Sequence, residues 1–171
     1  MKRYQYLGTQ QPDQQLMQPS NRLRLVSARS ILDWIKLYKP PRNPDKTVTL
    51  TFIVDLEGAM WINDRHSEHV FCANGGDVLS AGEITFEINE HEYTAQIEAT
   101  TNQSTGYCPQ PESYEAVKSA IEATGIEHPP SFTTEFVFRL CNHCNTINIL
   151  KDDWFYCGVC DRELDEFWNF E

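Results

Sequence analysis

Two C-x-x-C hooks, Cys141-Asn-His-Cys144 and Cys157-Gly-Val-Cys160, stand twelve residues apart in the last fifth of this 171-residue chain. No other feature constrains the fold as strongly. Four thiolates in two close pairs match the tetrahedral preference of Zn²⁺, with each sulfur at about 2.3 Å from the metal. Residues 145–156 are long enough for a short strand, a turn and a return strand, which brings the second hook back beside the first. Two unrelated thiol pairs or two disulfides are the plain alternatives, but paired hooks at this spacing favour a bound metal. Iron also suits four thiolates and is the rival ion. His143, inside the first hook, is a further candidate ligand, although four cysteines already complete a tetrahedron. The residue after each hook often needs a positive φ, and Asn145 and Asp161 are both types that tolerate it.

Charge is distributed unevenly. The chain carries −11 overall. Residues 1–46 hold nine Lys/Arg against three acids, a balance of +6, whereas residues 47–140 stand at −12 and residues 141–171 at −5. Nucleic-acid affinity is built from cations that neutralise phosphates, so a module at −5 argues against DNA or RNA as the partner. The basic first segment is suited to the acidic body or to an acidic partner. No run of about 18 apolar residues is present to span a membrane. The first residues, Met1-Lys-Arg-Tyr-Gln-Tyr, lack the apolar stretch of an export signal, so thiolate ligands in a reducing cytoplasm form the consistent expectation.

Periodicity divides the chain into three parts. Residues 1–20 contain six glutamines and two prolines and read as a flexible or loosely docked arm, because they offer too little apolar surface to offset the cost of ordering them. Ser27 is placed to cap a helix running to Tyr38, with Ile31, Leu32, Ile35 and Tyr38 on one face and Pro40-Pro41 ending it. Arg29, Lys36 and Lys39 then read as its solvated side. From residue 47 the period falls to two, and a hairpin is expected over 47–63 with its turn at 55–58. Strands are expected over 77–79, 83–89 and 93–100, a helix over 112–124 closed by Gly125, and a strand over 132–140 leading directly into Cys141. The implied architecture is α+β: a mostly antiparallel body over 21–140 with one or two helices, followed at 141–171 by the metal module and an acidic, aromatic tail. Trp154, Phe155 and Tyr156 are placed to cover the metal site and join it to the body. The tail is expected to dock on the module, since free aromatics are costly to expose.

Chemistry outside the hooks has several candidates. His66, His69 and Cys72 recur every third residue, with Cys108 farther on, and these atoms suit a second metal. The segment reads as a loop or short strand, however, and on a strand residues three apart face opposite ways. A Cys–His nucleophile pair drawn from Cys72 or Cys108 with His66 or His69 is another possibility, against the plain reading of two buried thiols. Gly75, Gly76 and Gly82 mark backbone that turns sharply or is closely approached. Residues 102–109 bring hydroxyls, a glycine and an aromatic to the end of a strand, where sites often collect.

The four-cysteine segment resembles structural zinc ribbons. A second resemblance spans residues 60–125: His66-Ser67, Gly75-Gly76-x-Val78, Ala81-Gly82-Glu83 and Asn102-x-Ser104-x-x-Tyr107-x-Pro109 look like a β-rich module of plant IQ-motif calmodulin-binding proteins and of bacterial toxin or effector chains. The module runs H-S-S, G-G-x-x-x-A-A-G and N-x-S-G-H-Y-x-P. This chain departs from it at Glu68 and at Thr105-Gly106, where the module has Gly-His. No IQ helix is evident, so calmodulin binding does not follow. The resemblance implies His66, Ser67, Glu83, Ser104 and Tyr107 as the candidate catalytic residues.

Two functions fit these observations. One is a cytosolic adaptor, an antitoxin-like component of a bacterial-type operon, with a structural Zn²⁺ on Cys141, Cys144, Cys157 and Cys160 and a protein partner. The other is a transferase, ADP-ribosyltransferase-like, acting on a small nucleotide or a protein through residues 66–107.

Overall fold

A computed structural model describes residues 1–8 and 21–170. Its elements are β1 (Leu23–Arg24), α1 (Ala28–Tyr38), β2 (Val48–Val54), β3 (Met60–Asp64), α2 (His69–Cys72), β4 (Ser80–Asn89), β5 (Thr94–Thr100), a 3₁₀ turn (Pro111–Ser113), α3 (Tyr114–Glu122), β6 (Val137–Leu140) and β7 (Ile147–Leu150). The first five strands form one antiparallel sheet in the order β1-β3-β2-β4-β5, and β6 and β7 form a separate hairpin. The fold is α+β and mostly β, as its sequence pattern implies.

β2 lies at the centre of the sheet, and all seven of its residues are buried. Alternation sends Val48, Leu50, Phe52 and Val54 to one face, where they meet Ile31, Trp34 and Ile35 of α1 and Val117 and Ile121 of α3 in the main core. Ile53 points the other way, into a smaller core with Tyr4, Val70, Cys72, Val78, Ala81 and Tyr107. Farther along that second face the strand turns polar: Thr49 shares a hydroxyl contact with Thr85 at 2.9 Å, and Thr51 donates to the carbonyls of Arg65 and Ser67. The sheet is therefore covered on both sides, but its second side grades from apolar to polar.

Local chemistry accounts for the element ends. Ser27 caps α1 in a reciprocal pair with Ser30, each hydroxyl accepting the other's backbone N–H at 3.2 Å. Lys39 closes the helix at φ 49 just before Pro40. Trp34 joins the buried face, whereas Tyr38 lies half out of it, its ring 5.1 Å from that of Trp34. In the β2–β3 turn the Asp55 carboxylate accepts from the amides of Glu57 and Ala59 and from the Trp61 indole, with Gly58 at φ 81.

Two expectations need correction and a third is narrowed. The segment read as a loop or short strand around residue 70 is one helical turn, α2. It is held by bonds from Cys72 to Glu68 and from Ala73 to His69, and it is ended by Asn74 and Gly75 in left-handed conformation. The strand expected over 132–140 is regular only in β6. Upstream, Thr133 instead bonds Thr100 and Thr134 bridges Thr101. Residues 1–8 of the expected flexible or loosely docked arm lie on the body: Tyr4 exchanges backbone bonds with Val78 at 2.8 and 3.0 Å, and Leu7 donates to Gly106. The burial of the Tyr4 ring in the second core offsets the cost of ordering them. The rest of that arm, 9–20, lies outside the described residues.

Candidate metal centre and a polar cavity

The β6–β7 hairpin returns the chain so that all four hook sulfurs lie within 4.8 Å of one another. Cys141 and Cys160 stand at 3.6 Å, as do Cys144 and Cys157. Sulfurs at the corners of a tetrahedron about a metal 2.3 Å away are separated by about 3.8 Å, so this donor set fits one four-coordinate ion. Each hook is a tight knuckle. Asn145 donates to the Cys141 carbonyl and Asp161 to that of Cys157, both residues at φ 56, as their positions imply. The amide of Val159, 3.5 Å from Cys157 Sγ, pulls that thiol down to about 6, and the Thr146 hydroxyl, 3.3 Å from Cys144 Sγ, lowers its partner in the same direction. Both shifts favour the thiolate that a metal requires, whereas Cys160 moves up to about 12 because, against a lowering bond from the Arg162 backbone, burial and the three neighbouring hook thiols prevail. His143 is exposed and outside the cluster.

Asn148, on β7, braces the second hook against the hairpin, which its sequence context does not announce. Its amide nitrogen reaches Cys157 Sγ at 3.6 Å and its oxygen accepts from Gly158 at 3.0 Å. Of the three aromatics expected to cover the site, only Phe155 packs on it, with Leu150 and Leu164. Trp154 and Tyr156 are 66% and 45% exposed, ring against ring at 5.0 Å. The reason is extended alternation, which sends residues 154 and 156 to the side opposite 155.

The junction to the body is instead made by the tail. Arg139, a buried β6 residue, donates to the carbonyls of Phe138, Asp165 and Glu166 at 2.7, 3.0 and 2.5 Å. Asn169 exchanges bonds with the Leu140 backbone. Trp168 donates to the Cys108 carbonyl at 2.8 Å, meets Tyr4 edge-on, and carries Lys2 Nζ 3.3 Å above its ring.

On the polar part of the second sheet face, His66, Ser67, Glu83 and Ser104 line one cavity of about 240 Å³ together with Arg65 and His69. The loop leading into α2, strand β4 and a second loop after β5 supply them, and Gly82 lets β4 meet that second loop: a Cβ there would lie 1.9 Å from the Thr101 carbonyl oxygen. Asn102, fully buried, fixes the second loop by donating to Pro109 and Phe136 carbonyls and accepting from the Phe136 amide, all at 2.7 Å. Glu83 is held by Arg65 at two points, 2.9 and 3.2 Å. Ser67 accepts from Asn63, which leaves its own hydrogen available. Among the described residues, the buried Ser104 hydroxyl has no hydrogen-bond partner. Burial lowers the His69 pKa and favours the neutral ring, and its Nε2 faces the Gly82 carbonyl at 3.1 Å, which requires the proton on Nε2 and leaves Nδ1 an acceptor.

Tyr107 belongs elsewhere. It is enclosed in the second core, away from the cavity lining, and its hydroxyl donates to the Gly76 carbonyl at 2.7 Å. Cys72 and Cys108 are buried thiols, pushed up by burial to about 12 in each case, and neither lines the cavity. At neutral pH they are not thiolates, which removes the ground for a Cys–His nucleophile pair. Among the described residues, the four hook cysteines are the only group of His, Cys, Asp and Glu arranged to hold a metal.

No protein-family model matches this chain, and no curated protein or solved structure matches it either.

Proposed function

We propose that this chain is a cytosolic adaptor, built to bind another protein, in which Zn²⁺ on Cys141, Cys144, Cys157 and Cys160 clasps a ribbon to an α+β body. The observation that carries this reading is the pair Trp154 and Tyr156, their rings tilted against each other and turned to solvent on a segment of net charge −5. Ile149, Val159 and Phe167 add exposed apolar surface to the same module. Solvent-facing aromatics flanked by acids such as Asp152, Asp153 and Asp161 suit a partner that presents an apolar anchor among Lys and Arg. Zn²⁺ fits better than iron because nothing in the reading requires electron transfer and a closed four-cysteine site is its usual structural form.

The test is chemical cross-linking of the full chain in its own cells, with a Trp154→Ser/Tyr156→Ser variant that keeps its zinc. A partner bound through this pair is lost from the variant, and its affinity for the wild-type chain falls as salt rises. Equal capture by both proteins refutes the reading.

A second reading is supported by the gathering of His66, Ser67, Glu83 and Ser104 around one cavity. It is a small-ligand site, of which a transferase would be the catalytic form. Glu83 would accept, Ser67 and Ser104 would donate, and Arg65 would balance the charge. Titration of the full chain with NAD⁺, followed by amide chemical shifts, should perturb residues of this cavity and fail to do so in Ser104→Val. Unchanged shifts in the wild-type protein dismiss the nucleotide transferase.

A further inference from the structure

Helix α1 ends in a cluster of cations with a recess beneath it. Lys36, Lys39 and Arg42 line a cleft of about 370 Å³ whose apolar wall comes from Leu32 and Ile35 of α1 and Ile88 of β4. Tyr93 and Glu90 complete its far side. Arg42 is paired with Glu90, so its charge is largely neutralised. Lys36 and Lys39 have no carboxylate within ion-pairing distance among the described residues. The carbonyls at a helix C-terminus attract cations, and one lysine there needs no further cause. That effect does not account for two unpaired lysines beside an apolar recess, on a chain whose net charge is −11.

The volume lies in the range of about 300–1,000 Å³ usual for small-molecule sites and is too small to seat a folded partner. A polyanion such as nucleic acid would need a longer track of cations and no apolar wall. The polar cavity beside Glu83 has the opposite character, with hydroxyls and a carboxylate in place of aliphatic side chains.

We propose that this cleft binds a small amphiphilic anion: an aliphatic or aromatic body on Leu32, Ile35 and Ile88, with a carboxylate, sulfonate or phosphate between Lys36 and Lys39. The acid group completes the two lysines, and the apolar body packs on half-buried Ile88 and exposed Tyr93, beside the small exposed edges of Leu32 and Ile35. This site is independent of the ribbon surface and of any adaptor role.

The experiment is calorimetric titration of the full-length protein with decanoate, and with decanol as its uncharged counterpart, backed by amide chemical-shift mapping. Decanoate should bind saturably in the millimolar range or better, at least about tenfold more tightly than decanol, with shifts centred on α1 and on Ile88. Lys36→Glu/Lys39→Glu changes only exposed side chains, so the fold should persist, and it should weaken decanoate by about tenfold or more. Lys36→Arg/Lys39→Arg should retain binding, and Lys118→Glu, on α3, should have no effect. A parallel arm uses phosphatidylcholine vesicles with and without phosphatidylglycerol. Sedimentation with the anionic vesicles that decanoate reverses identifies the ligand as a lipid, and decanoate binding without sedimentation identifies it as a free acid. The proposal is overturned if neither decanoate nor anionic vesicles bind, if decanol binds as well as decanoate, or if the double glutamate variant binds decanoate unchanged.

Discussion

Cys157→Ser should strip the metal from the chain and unfold everything from β6 onward. Native mass spectrometry should find one Zn²⁺ per wild-type chain and none in the variant. Structural zinc sites supply roughly 10–16 kcal/mol of apparent binding free energy to the modules they close, and a three-thiolate remnant keeps only part of it. The effect should not stop at the hairpin. Leu164 packs against the hooks, Arg139 and Asn169 tie the following residues to β6, and Trp168 reaches the body. Hydrogen exchange should therefore accelerate through the amides of residues 137–170 and also at Tyr4, whose ring loses the Trp168 contact. A chelator acting on wild-type protein should give the same exchange pattern. Zinc retained at full stoichiometry by the variant would mean that the ligand set is wrongly assigned.

Gly82→Ala should be the most damaging single change in the body. A methyl at this position would sit 1.9 Å from the Thr101 oxygen and 2.8 Å from the Thr101 carbonyl carbon, both backbone atoms of a loop held by Asn102. Neither chain can yield without breaking β4–β2 pairing or the Asn102 bonds, so the expected loss is about 4 kcal/mol or more, read from denaturant unfolding. Gly76→Ala is the matched control. Its added carbon would meet only the Ala73 oxygen, at 3.3 Å, and about 1 kcal/mol or less is expected. Comparable losses in the two variants would show that close approach at residue 82 is not what the fold depends on.

The contrast between these two sites marks what the sequence could convey. The hooks are legible because ligand spacing is local: each pair is closed by its own knuckle, and the intervening residues need only turn once. β2 is legible because six of its seven residues are β-branched or aromatic. α2 is not, since four residues carry no usable period, and the turn is fixed by Val70 and Cys72 finding the second core. Tyr107 looks like a site residue in sequence because its motif places it beside Ser104. Its use depends on where the Gly76 carbonyl lands, 31 positions away, which no local pattern records. Arg139 is hidden for a similar reason, because two of its three partners are backbone carbonyls 26 and 27 residues farther on. In the Gln-rich opening composition alone leaves docking open, and the first eight residues dock through Tyr4 and Leu7.

The contact of Tyr4 with Gln110 and Trp168 bears on the order in which the molecule is completed. The main core draws its residues from Leu25 to Phe132 and can close while the C-terminal segment is still being synthesised. The buried set of the second core, Tyr4 to Tyr107, is made just as early. Its edge at Tyr4 is completed only when Trp168 of the tail reaches it. Contacts this distant in sequence form late, because loop-closure entropy opposes them until the rest is built. On the proposed zinc site, the last step of maturation depends on metal supply, and until the tail is fastened the Tyr4 edge of the second core stays uncovered.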